Sequence, residues 1–100
     1  MTTRATVFAE NERLVISGPL NFVTALSVWK GSLPLLEKYT QICIDLNHVV
    51  AENSGGLALI LEWIKYAKRT KKTIKFMNVP PQLQSIAEVA GIDFLLSSNR

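Results

Sequence analysis

The chain has 100 residues, 48% apolar and 19% charged, with one cysteine and a net charge of +3. Those figures fit a single domain over residues 1–100 with a hydrophobic core. They exclude a disordered chain, an internal disulfide and a cysteine-based zinc site.

The first β-prone run is Ala5 to Ala9, followed by Asn11-Glu12 as a turn and Arg13 to Ser17 as a second strand, ended by Gly18-Pro19. So short a connection predicts an antiparallel hairpin. Asn21 is placed to cap a helix running to about Lys30, with Phe22, Ala25, Leu26 and Trp29 at helical spacing. Gly31 and Pro34 interrupt that pattern, so Ser32 to Lys38 reads as a separate helical piece. Ile42 to Leu46 is apolar on both faces, as a central parallel strand should be.

A loop from Asn47 to Asn53 then leads to Ser54-Gly55-Gly56, which opens a long helix to about Thr70. Leu57, Ile60, Leu61, Ile64 and Ala67 form its core stripe, with Glu62, Lys65 and Arg69 on the other side. Thr73 to Met77 is a last strand, in which Lys75 marks a face near solvent or an edge. Pro80-Pro81 starts a helix from about Gln82 to Ala90 that buries Leu83, Ile86, Ala87 and Ala90. Gly91 stops it, and Ile92, Phe94 and Leu95 form an apolar tail that packs back. The order β-β-α-β-α-β-α predicts an α/β fold with right-handed crossovers and a partly parallel sheet.

The longest apolar run, Leu57 to Leu61, has five residues, against the ~20 a membrane helix needs. Met1-Thr2-Thr3-Arg4-Ala5 has no apolar segment behind its charge. No secretory signal and a cytoplasmic setting are expected.

Charge is local. Lys65, Lys68, Arg69, Lys71, Lys72 and Lys75 lie within residues 65–75 with no acid among them, while the rest of the chain has five bases and eight acids. Cations suit a helix C-terminus, so a solvated helix end is the first reading, with nucleic acid or anionic lipid headgroups as alternatives. No nucleic-acid-reading motif accompanies the cluster, and no nucleic-acid partner is expected.

His48 follows the central strand and precedes Ser54, but the Gly-x-Ser-x-Gly pattern is absent and no second histidine exists for a metal. No catalytic residue, metal or cofactor is expected. Ser54 either only caps its helix or opens a site with Gly55-Gly56, where the glycines allow close approach of another backbone or a ligand and the free N–H groups favour an anion or a hydrogen-bonding partner. Trp63 reads as core. Trp29 stands between core and interface anchor. Cys43 reads as a small buried hydrophobe.

Ile44-Asp45-Leu46, a short loop, then Asn53-Ser54-Gly55-Gly56-Leu57-Ala58-Leu59 resembles the signature of the STAS family, the fold of bacterial anti-sigma-factor antagonists. The likeness is nearest to the small stand-alone STAS subunits of bacterial phospholipid-transport ABC systems. Those subunits have Asp-Thr-Gly-Gly-Leu-Ala-Leu at this segment and a Leu-Trp-like helix end, here Val28-Trp29. The resemblance implies a mixed four-stranded sheet with helices packed on it. In the antagonists the phosphorylated Ser or Thr directly precedes Gly-Leu. That position here is Gly55, and Ser54 falls one residue earlier, where the transporter subunits have their functional Thr. The family's Asp is Asn53 here, so its charge is lost.

The resemblance implies a non-catalytic subunit that binds the ATPase of an ABC transporter and, through it, the permease. It would sit at the inner face of the inner membrane, without membrane insertion or direct contact with the transported lipid. Asn53, Ser54, Gly55, Gly56 and Trp29 would form the contact. Ser54 is also the candidate regulatory position, because a phosphate there would add about −2 charge. The alternative is an anti-sigma-factor antagonist controlled by phosphorylation.

Overall fold

A computed structural model describes residues 4–97. Strand β1 (Thr6–Glu10) turns at Asn11 and Glu12 into β2 (Arg13–Leu20). Both turn residues have positive φ, 52° and 64°, which matches the twist of an antiparallel hairpin. Strand β2 continues through Gly18-Pro19 instead of ending there. Gly18 permits this with φ of 102°, and a Cβ would lie 2.5 Å from the Arg4 carbonyl oxygen.

Asn21 caps α1 (Phe22–Leu36) as expected. Its Oδ1 accepts from the Val23 and Thr24 N–H groups at 2.9 Å, and Thr24 Oγ1 accepts from the Asn21 N–H at 2.9 Å. This reciprocal box satisfies orphan donors of the first turn. The expected break at Gly31 and Pro34 is absent, and the two helical pieces are one helix. A proline inside a helix costs about 3 kcal/mol. Burial of Ser32 and Leu36, which flank Pro34 and are both 0% exposed, holds the helix together there, and Ser32 Oγ accepts from Trp63 Nε1 at 3.0 Å.

Strand β3 (Gln41–Ala51) runs well past Leu46, so most of the expected loop is strand. The reason is a bulge. Val15 and Ser17 of β2 stand opposite Asp45 and His48 of β3, so β3 carries one extra residue there. The extra residue flips the alternation. Ile42, Ile44 and Leu46 face the core before the bulge, and Val49 faces it afterwards. His48 is consequently an exposed strand residue.

Helix α2 (Gly55–Thr70) follows, then β4 (Thr73–Met77), α3 (Pro81–Val89) and α4 (Phe94–Ser97). The sheet order is β1-β2-β3-β4, with β2–β3 and β3–β4 parallel. Parallel strands joined through a helix cross over right-handed as a rule, and two such connections stepping in the same direction put α1 and α2 on the same face, where they touch. Their core is closed by Leu14, Ile16, Ile44, Val28, Ile60 and Trp63. Trp63 is 0% exposed, as expected for core. The stripe of α2 is corrected in detail: Leu59 and Tyr66 are buried in it, whereas Leu61 and Ile64 are half-buried. In α3, Leu83 and Ala87 are buried, Ile86 half-buried and Ala90 exposed. Of the apolar tail, Ile92 packs on the core but Phe94 is exposed, and Leu96 is the buried anchor.

The opposite face of the sheet carries a cross-strand row, Phe8, Val15, Asp45 and Met77. Cys43 lies on this face half-buried rather than in the core, its thiol 3.0 Å from Met77 Sδ. Asp45 Oδ1 accepts from Asn47 N–H and Asn78 Nδ2, each at 3.0 Å, and Oδ2 lies 3.6 Å from Arg13 Nε. Burial pushes its pKa up. The hydrogen bonds from Asn78 and Asn47 and the charges of Arg13 and His48 outweigh that and hold it below the usual carboxylate range. Asp45 thus ties the middle of β3, beside its bulge, to the end of β4, where Asn78 takes a positive φ of 57°.

Candidate docking site at the start of helix α2

The segment before α2 is fastened to the segment before α1. Glu52 N–H donates to the Leu20 carbonyl at 2.9 Å, and Asn21 Nδ2 donates to Glu52 Oε1 at 2.9 Å. This brings Asn53 and Ser54 beside the first turn of α1. Ser54 occupies the cap position of α2 but its side chain makes no capping bond. Asn53 does that work: its Oδ1 accepts from the Gly55 N–H at 2.8 Å. The capping reading of Ser54 is therefore corrected, and its hydroxyl lies on an exposed residue with no capping duty.

Gly55 and Gly56 are buried. A Cβ on Gly55 would lie 2.4 Å from the Asn21 carbonyl carbon and 2.5 Å from the Phe22 nitrogen. The backbone that approaches this glycine is the chain's own, which corrects the expectation of a partner's backbone at that point. Gly56 lies against Leu20 and Leu83 in ordinary contact. Gly55 lets α1 and α2 meet closely at their first turns, and Asn53 and Ser54 form the outward surface of the loop.

A groove of ≈ 290 Å³ runs between the two helices, with Phe22, Leu26 and Trp29 on one wall and Ala58, Leu59 and Glu62 on the other. Phe22 is 63% exposed, Leu26 55% and the neighbouring Val23 81%. Clustered apolar exposure of this kind marks interaction sites. Trp29 lies between its two readings. It is half-buried, packing edge-on to Tyr66 at 6.3 Å, and it lines the groove.

Phe22, Leu26, Ala58 and Glu62 are not among the site residues that the sequence suggests. The available signal is that α1 has two apolar stripes. Ala25, Val28 and Leu36 with Ser32 face the core, while Phe22, Leu26 and Trp29, at i, i+4 and i+7, line the groove. His48 stands on β3 opposite Ser17. Among the described residues it makes no hydrogen bond to Ser54, so the two form no hydrolytic pair. Among those residues no cluster of His, Cys, Asp and Glu could hold a metal ion.

Comparison with known proteins follows from this geometry. The family profile described as "Mlab, STAS domain" matches residues 5–97. The chain belongs to the STAS-domain family. It is 30% identical over 81 residues to the intermembrane phospholipid transport system binding protein MlaB of Escherichia coli strain K12, covering 81% of each chain. The MlaB protein of Shigella flexneri matches with the same identity and coverage. Among solved structures, the unphosphorylated anti-sigma factor antagonist SpoIIAA superposes with a TM-score of 0.67 at 14% identity, over 89% of this chain and 82% of that one. The phosphorylated form of SpoIIAA, a Bacillus cell fate determinant, gives 0.63 at 15% identity, over 88% and 84%. These two likenesses show a shared STAS fold: a mixed four-stranded sheet with helices packed on it.

Proposed function

We propose that this STAS protein is a non-catalytic subunit of an Mla-type ABC transporter that moves phospholipids between the inner and outer membranes. It docks on the transporter's ATPase through the α1/α2 groove and the adjoining Asn53-Ser54 loop. Likeness to MlaB supplies the system. The observation that carries the docking site is the exposed apolar wall of Phe22, Leu26 and Trp29 beside an exposed Ser54. Gly55 contributes by letting the start of α2 sit against the start of α1, the spacing that shapes the groove, and Gly56 by seating α2 on Leu20 and Leu83. No helix of the described residues is long and apolar enough to cross a membrane. Attachment at the cytoplasmic face then runs through the ATPase and its permease.

Burying such a wall against a partner contributes roughly 25 cal/mol per Å² of apolar surface. The Ser54 hydroxyl adds one hydrogen bond. The test is a tagged pull-down from native membranes, with mass spectrometry of the retained proteins. Recovery of an ABC ATPase with its permease supports the reading, and its loss in Leu26→Asp places the contact at the groove. Normal recovery with Leu26→Asp puts the contact elsewhere.

The second reading is a phosphorylation-controlled anti-sigma-factor antagonist. It is favoured by one observation: Ser54 is exposed and its side chain has no capping duty, so a kinase has access to it. Capture of an anti-sigma kinase without an ATPase, with a phosphate on Ser54 by intact mass, would replace the first reading with this one.

A further inference from the structure

Six cations fall within residues 65–75, and the structure divides them by duty. Lys72 Nζ donates to the Leu36 carbonyl at 2.8 Å and sits 5.5 Å from the centre of the Tyr66 ring, so it closes the end of α1. Lys75 alternates with the buried Phe76 along β4 and therefore belongs to the opposite face of the sheet. The other four form a surface. Lys65, Lys68 and Arg69 are exposed at i, i+3 and i+4 of α2, and the exposed Lys71 ends the helix in the left-handed conformation. Among the described residues only Lys65 of these four pairs with an acid, Glu62 at 3.9 Å, and Arg69, though exposed, lies 5.7 Å from the centre of the Tyr66 ring. The helix dipole favours cations only within the last turn, which holds Lys68 and Arg69, and Lys65 lies outside it. This set exceeds that need.

We infer that Lys65, Lys68, Arg69 and Lys71 form a contact for the anionic phospholipid surface of the membrane. The identity of that surface rests on the transporter reading above, and the contact is with bilayer headgroups rather than with a transported lipid molecule. The patch is an exposed helix face of mostly lysine, and long mobile cations suit a diffuse plane of phosphates. The aromatic ring among them, Tyr66, is 8% exposed and already faces Trp29, Arg69 and Lys72. It has no free face on which a nucleobase would stack. Helix α2 has 16 residues, a length of about 24 Å, so docking at the Ser54 end leaves the basic end free. The patch therefore acts as a weak second attachment that orients a subunit already held by its ATPase.

The test is co-sedimentation of the full chain with vesicles of phosphatidylcholine alone, or with about a third phosphatidylglycerol. Near an anionic surface each cation strengthens binding about fivefold. Salt-sensitive binding to the anionic vesicles alone is expected. A triple variant, Lys68→Gln, Arg69→Gln and Lys71→Gln, should weaken it by roughly a hundredfold, with an unchanged circular dichroism spectrum and normal capture of the ATPase. Equal binding to both vesicles, or unchanged binding by the triple variant, overturns the inference. So does tighter salt-sensitive binding to RNA or to polyglutamate than to the anionic vesicles. Loss of ATPase capture in Leu26→Asp is read separately, so failure of the groove and failure of the patch are distinguishable.

Discussion

At its first turn α2 shows Ser54 and Ala58 to solvent beside the exposed Phe22 and Leu26 of α1. At its last turn it shows Lys68, Arg69 and Lys71. Both ends are tied into the fold, mostly by residues other than those on display; Arg69 does both, since it is exposed and also lies 5.7 Å from the centre of the Tyr66 ring. Gly55 and Gly56 hold the first end through close backbone and side-chain approach. Lys72 and Tyr66 hold the second end, by a bond to the Leu36 carbonyl and by ring contacts with Trp29, Arg69 and Lys72. The difference teaches how to read such a surface. Side chains with an internal partner explain the fold. Exposed ones without an internal duty are the candidates for contact with a partner, apolar at one end and cationic at the other.

The largest test of that division is Gly55→Ala. The added Cβ would meet the backbone of Asn21 and Phe22, which cannot yield as a side-chain tip can. Overpacking of this kind costs about 2–3 kcal/mol, read as a lower urea midpoint. An unchanged midpoint would show that the helices separate freely. Asp45, remote from both ends, serves as a control. Its folded pKa is lowered, so its contribution is present above the unfolded carboxylate pKa and is lost as pH falls through the folded value. Acid denaturation should show that loss for the native chain and not for Asp45→Asn. Matching profiles for the two chains would remove Asp45 as the cause.

At the basic end, Lys72→Met should cost about 1.5 kcal/mol, since a charged hydrogen bond to the Leu36 carbonyl is lost. Lys68→Gln should leave the midpoint unchanged. Equal effects at the two positions would erase the distinction between structural and surplus cations. The smallest contrast lies in the loop. Asn53→Ala removes the acceptor for the Gly55 N–H and should cost about 1 kcal/mol. Ser54→Ala should shift stability by less than about 0.5 kcal/mol. A larger effect at Ser54 would return the capping role to it.

Much of the fold is legible in the sequence because its periods are clean. The hairpin, the Asn21 cap, the long α2 and the order of strands and helices all follow from apolar spacing and turn residues. The end of β3 is hidden because a single bulged residue shifts the alternation, and Asn47-His48 then looks like a loop. The continuity of α1 is hidden because burial of Ser32 and Leu36 overrides the local effect of Pro34. Ser54 stands out as a site residue, yet nothing local says that Asn53 takes over its capping bond. The groove is hidden for another reason. Phe22, Leu26 and Trp29 read as one stripe with Ala25, and only the docking of α2 separates the inward residues from the outward ones.

The most direct measurement compares ATPase capture from native membranes by the native chain and by Ser54→Arg, a substitution at an exposed position without a capping bond. The account predicts recovery of an ABC ATPase with the native chain, its loss with Ser54→Arg, and its retention with the Lys68→Gln, Arg69→Gln, Lys71→Gln variant. Undiminished capture by a folded Ser54→Arg protein would contradict it.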